Sequence, residues 1–223
     1  MTMLITDSDN RGEPTEPRED GNRHVAEAYE NLRVIREVMD RSIKHSTLSG
    51  FSGILSGIWA ILGALATRAI LSDQTSISNY NSEVVALGAI WLAVVGLAIA
   101  TDFVVTKSRA VRVGKQVFSK LGAQMVRAAS PGFVAGMMIT LSFVARHEIS
   151  AVWPYWMVCY GLAICSVGQF SVRSVSALGW AFVAAGAVAF CLPASYGLTV
   201  VAASFGGLHI VYGLYTGITR RDW

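Results

Sequence analysis

Charged side chains are scarce along most of this chain, and the gaps between them are long. Only 15% of the 223 residues are Asp, Glu, Lys or Arg, against 53% hydrophobic. With a mean hydropathy of +0.47, that imbalance excludes an ordinary soluble domain and points to a membrane protein. The three cysteines, Cys159, Cys165 and Cys191, show no metal-ligand or redox spacing, so they read as small buried side chains. There is no Gly-rich loop ending in Lys-Ser or Lys-Thr, no His pair at i,i+4 around a Glu, no Gly-x-Ser-x-Gly and no Cys-x-x-Cys. Nucleotide, zinc-hydrolase, serine-hydrolase and dithiol chemistry therefore have no motif to rest on. No pair of carboxylates lies within an apolar run. The expectation is a protein that is not an enzyme, with no catalytic residue, no metal and no cofactor. The formal charge of +3 is small and placed beside apolar runs, where anionic headgroups are sufficient partners. Nucleic-acid binding is not expected.

What is present is six apolar runs arranged around one basic segment. Lys107, Arg109, Arg112, Lys115, Lys120 and Arg127 fall together between long hydrophobic stretches. Such a cluster stays on the cytoplasmic face during insertion and so orients the helices on either side. The expected fold is an all-α membrane protein with six transmembrane helices at about 48–71, 84–105, 131–147, 151–170, 175–192 and 198–217. A cytoplasmic amphipathic helix precedes them. Of 18 basic residues only Arg68 and Arg146 fall on the external side in this layout, which places both termini in the cytoplasm. The third run looks short for a bilayer, with Ser130 as its N-cap and Pro131 in its first turn, after a short surface helix near 117–128. Trp153, Tyr155 and Trp156 stand where an interfacial aromatic belt is expected.

Residues 1–21, rich in acids and broken by Pro14 and Pro17, read as a disordered cytoplasmic tail. Because that start is too long and too charged for a cleaved leader, the first span is expected to act as the targeting signal. From 22 to 47, Val25, Tyr29, Leu32, Ile35, Met39 and Ile43 recur at helical spacing. Opposite them, Arg33–Glu37, Glu37–Arg41, Arg36–Asp40 and Asp40–Lys44 are i,i+4 pairs. The apolar stripe can lie on headgroups or on the protein's own loops, self-associate, since Val25, Leu32 and Met39 are seven apart, or bind another protein. In the first span, Ser49, Gly53 and Gly57, followed by Ala60 and Ala64, form a face with almost no side chain, suited to close helix contact.

Two ionisable residues lie within apolar runs. His209 is near the middle of the sixth, on a face with Thr199, Gly206, Gly213 and Thr216. It reads either as a proton-titrating or ligand-contacting group or as a neutral imidazole bonded between helices, and the second is favoured. Asp102 reads preferentially as a headgroup-level carboxylate paired with a nearby Arg or Lys. His209, Thr216 and Asp102 are thus the candidate intramembrane polar site, and Arg109, Arg112, Lys115 and Arg173 the candidate lipid-headgroup contacts. Gln169, Ser171 and Arg173 form a polar inner turn read chiefly as a helix cap.

The strings Tyr160-Gly161-Leu162-Ala163, Gly168-Gln169-Phe170-Ser171-Val172-Arg173-Ser174-Val175, and Phe205-Gly206-Gly207-Leu208-His209-Ile210-Val211-Tyr212-Gly213, with Gly179, Phe182 and Gly186, carry a resemblance. So does Ile35-Arg36-Glu37-Val38-Met39-Asp40-Arg41 leading to Thr47-Leu48-Ser49-Gly50. They resemble a family of six-span bacterial inner-membrane proteins without an established activity. The resemblance implies six spans in a bacterial inner membrane, and transfers no substrate or site residue. Two functions follow as expectations. The first, and preferred, is a membrane interaction or regulatory protein that acts through residues 22–47 as a homo-oligomer or on a cytoplasmic partner. The second is a small-solute or ion carrier using the face around His209.

Overall fold

The computed structural model describes residues 27–34, 50–72, 79–113 and 120–220, without the side chains of 109–113, 120–121 and 220. Every regular element among the described residues is helical. Among the described residues six helices are long and apolar enough to cross a bilayer: Gly50–Ser72, Tyr80–Ser108, Gly122–Ala145, Ile149–Gly168, Arg173–Phe190 and Ala194–Thr219. At 1.5 Å per residue each matches the ~30 Å hydrocarbon layer, the fifth most narrowly. The chain is a multi-pass membrane protein. Its six spans return the polypeptide to the side from which it entered, so the ends at Gly50, Ser108, Gly168 and Thr219 share one face of the bilayer, called the inner face below.

The third span departs from expectation. Ser130 and Pro131 do not start it; they lie inside one helix running from Lys120 to Ala145, which absorbs the described part of the expected surface helix. Proline lacks the N–H that would satisfy the carbonyl four residues back, that of Arg127. The Ser130 hydroxyl donates to that same carbonyl at 2.9 Å and replaces the missing bond, so the helix passes through the proline intact. The helix ends on His147, whose φ of 61° is left-handed. The amide of Glu148 donates to the Phe143 carbonyl and that of His147 to the Val144 carbonyl, the paired bonds of a Schellman cap.

The first and sixth spans pack glycine on glycine. A Cβ on Gly213 would stand 2.5 Å from the Gly50 carbonyl oxygen, and one on Gly57 2.6 Å from that of Gly206. The two backbones touch, which only residues without side chains permit. This is the small-residue face anticipated around Gly53 and Gly57. The second span packs on the first and the third on the fourth, while the fourth and fifth form a tight hairpin. Two indoles fasten these pairs. Trp59 donates to the Thr101 hydroxyl at 3.2 Å and Trp156 to that of Thr140 at 2.8 Å. Each threonine passes its own proton to a carbonyl one turn back.

Trp153 and Trp156, expected in an interfacial belt, turn toward neighbouring helices. Trp153 is buried against Val152, Met157, Ala189 and Val201, and Trp156 packs beside them. The helix at 27–34 is described by itself. Tyr29 and Leu32 are exposed on it, and Arg33 pairs with Glu30 at 3.1 Å. That pair is i,i+3; the four expected i,i+4 pairs and the rest of the expected 22–47 stripe, like the 1–21 tail, reach outside the described residues.

Candidate functional site

His209 follows directly on a π-helical segment, Ala202–Leu208. Such wide turns are rare and often occur at functional sites. Both ring nitrogens are occupied. Nδ1 lies 2.7 Å from the Phe205 carbonyl oxygen, which can only accept, so Nδ1 carries the proton. Nε2 therefore holds a lone pair, and Tyr160, 2.8 Å away, donates its hydroxyl proton to it. The rings of Tyr160, Phe182 and Phe205 surround the imidazole with centroids 5.6, 5.3 and 6.4 Å from it. This is the arrangement of a neutral histidine held between helices.

Among the described residues Asp102 has no basic partner; the side chains of Arg109 and Arg112, farther along its helix, lie outside them. Its helix continues unbroken to Val113, so Lys107, five positions on, projects from a different face about 7.5 Å away along the axis. The carboxylate instead accepts a hydrogen bond from Ser52 on the first span at 2.9 Å. Among the described residues it forms no ion pair. Asp102 is about 9 Å along its helix from Ser108, Tyr160 about 12 Å from Gly168 and His209 about 15 Å from Thr219, so all three lie in the inner half of the membrane.

A series of contacts joins them. Ser52 bonds Asp102. Its neighbour Gly53 lies against the His209 carbonyl, 3.3 Å from a Cβ placed there. The His209 ring bonds Tyr160. Four spans, the first, second, fourth and sixth, thus contribute one polar side chain each to two hydrogen-bonded pairs, Ser52 with Asp102 and Tyr160 with His209.

Thr216 does not join this group. It is fully buried, and its hydroxyl donates to the Tyr212 and Gly213 carbonyls of its own helix. Of the expected headgroup contacts, Arg173 is exposed at the first residue of the fifth helix. Arg109 and Arg112 lie on the extension of the second helix, their side chains outside the described residues, as is Lys115 altogether. The inner turn is closed by backbone bonds, with the Gln169 amide on the Ser166 carbonyl and no side-chain cap. Ser171 is 8% exposed, and its hydroxyl has no partner among the described residues. Among the described residues no group of His, Cys, Asp and Glu is arranged to hold a metal ion.

Tyr160 and Ser52 are the site residues that pattern reading did not single out. A phenol at mid-depth of an apolar run was the available signal for Tyr160. Ser52 had none, since serine is ordinary on a small-residue face. Against known proteins, the chain matches no family model, no curated protein and no solved structure.

Proposed function

We propose that the protein is a non-enzymatic carrier of a small ionic solute in a bacterial inner membrane, with both termini cytoplasmic, working through Asp102, Ser52, Tyr160 and His209. The observation that carries this reading is Asp102, a carboxylate within a span whose hydrogen-bond partner is a neutral serine. Asp in a membrane helix costs up to about 2.5–3.5 kcal/mol at the centre and less toward the headgroups, and a scaffold gains nothing from that which an apolar residue would not supply. A positively charged or protonic cargo offsets the cost when it binds. The orientation is supported by the 16 basic residues that the six-span layout assigns to one side.

Reconstitution into pyranine-loaded liposomes tests the reading. Added cations should evoke a proton signal that Asp102→Asn abolishes and that His209→Leu weakens. Wild-type vesicles indistinguishable from protein-free ones over a panel of inorganic and organic ions would exclude a carrier.

A second reading is favoured by Tyr29 and Leu32, one turn apart and 71% and 60% exposed on the helix at 27–34. Exposed large apolar groups in that register suit an interaction or regulatory protein that meets a second copy or a cytoplasmic partner through residues 22–47. Deleting 22–47 would then remove recruitment and leave the vesicle signal intact. Cysteines at Val25 and Met39 would trap dimers if the stripe self-associates.

A further inference from the structure

We infer that the inner turn between the fourth and fifth spans binds a phosphate group, that of an anionic phospholipid of the inner leaflet, through Arg173, Ser171, Ser174 and the first amides of the fifth helix. The inference does not depend on the carrier reading.

The start of the fifth helix, Arg173–Phe190, is built for an anion. The second helix begins as helices commonly do: Asn79 Oδ1 accepts from the Ser82 amide at 3.0 Å, and Glu83 stands in the first turn. Both suit the positive end of a helix dipole. The fifth helix has neither, since its N-cap Val172 makes no side-chain bond and no acid stands in its first turn. Its first residue is instead a cation, which the dipole disfavours. The Val175 amide is taken by the Val172 carbonyl at 2.9 Å. Those of Arg173 and Ser174 come too early in the helix to have an intrahelical acceptor.

Two hydroxyls at this same end also lack a partner. Ser171, next to the N-cap, is 8% exposed, and Ser174 is the second residue of the helix. Both hydroxyls are buried, and neither is bonded among the described residues. Buried polar groups are almost always satisfied, and both serines lie within one turn of the free amides. Val172 between them packs with Val175, Leu178, Phe182 and Tyr212, which holds the turn in place. Gln169 and Arg173, on either side of Ser171, are exposed, and Arg173 forms no ion pair among the described residues.

Amides, hydroxyls and a guanidinium are donors, so the missing group is an anion with several acceptor oxygens. Phosphate supplies them: a helix start receives it through its amides, and a guanidinium grips two of its oxygens. Depth selects the source. The fourth span ends at Gly168 and the fifth begins at Arg173, which places the turn at the inner face, where anionic headgroups lie.

The test uses full-length protein, delipidated in detergent, with phosphatidylglycerol, phosphatidylcholine and sodium phosphate as probes. Phosphatidylglycerol should raise the thermal midpoint of wild type saturably, phosphatidylcholine less, and sodium phosphate at equal concentration not at all. Counted as lipid adducts by native mass spectrometry, phosphatidylglycerol binding should weaken about tenfold or more in Arg173→Gln and about fivefold in Ser171→Ala. Arg173→Lys should fall between wild type and Arg173→Gln. Ser171→Ala also separates binding from a structural role. Without lipid it removes an unmet buried hydroxyl, so its midpoint should equal or exceed that of wild type, and with phosphatidylglycerol it should fall below. Arg173 is exposed, so Arg173→Gln carries the comparison if a serine variant misfolds. Wild-type lipid binding in a folded Arg173→Gln, or the same loss of stability in Ser171→Ala with and without lipid, would overturn the inference. Saturable protection by sodium phosphate that Arg173→Gln abolishes would uphold a phosphate site and overturn its lipid source.

Discussion

The first and sixth spans touch backbone to backbone, whereas the second and third, adjacent in sequence, part company below their outer ends. The two regions use the same solvent in opposite ways. With no hydrophobic drive between helices inside lipid, close packing of small residues is what binds the first interface. The glycines at 50, 53, 57, 206 and 213 provide it. Where the second and third spans part, each turns to another neighbour: Asp102 bonds Ser52 of the first, and Phe133 meets Tyr160 of the fourth.

That contrast can be broken most severely at Gly213. A leucine there drives its Cβ into the Gly50 carbonyl, and backbone cannot yield as a side chain can. The expected loss is about 3 kcal/mol, seen as a fall of about 6–12 °C in the thermal midpoint in detergent. Next is Tyr160→Phe, which removes the donor to His209 Nε2 and should cost about 1–1.5 kcal/mol. Its signature is spectroscopic: nitrogen NMR should keep Nδ1 protonated and move only the Nε2 resonance. Ser130→Ala should cost about 0.6–1 kcal/mol by stranding the Arg127 carbonyl. That cost should vanish in a Pro131→Ala background, where the backbone amide returns, and a double-mutant cycle measures it directly. Smallest is Gly96→Ala on the second span. A Cβ there meets nothing within 4 Å, so stability should rise by about 0.5 kcal/mol, the opposite sign to Gly213.

Much of the frame was legible because hydropathy runs and basic clusters are one-dimensional signals, and the six spans needed nothing more. The third span was misplaced because Ser130-Pro131 is also a start signal. Only the bond from Ser130 to the Arg127 carbonyl shows that the serine repairs the helix rather than opening it. Asp102 and His209 stood out as ionisable groups in apolar runs. Their association did not, because it depends on how four helices are rotated. A π turn at Ala202–Leu208 also shifts that rotation without any period in the sequence announcing it. Lys107 looked close enough to neutralise Asp102 in sequence, yet five residues along a helix place it on another face.

The account depends on Asp102 facing Ser52 within the membrane. Cysteines at those two positions, in a background with Cys159, Cys165 and Cys191 replaced by alanine, should be joined within one chain by a short bifunctional methanethiosulfonate in native vesicles. Failure to join them, with reaction of the Asp102→Cys thiol instead with a cysteine placed at Lys107, would contradict it.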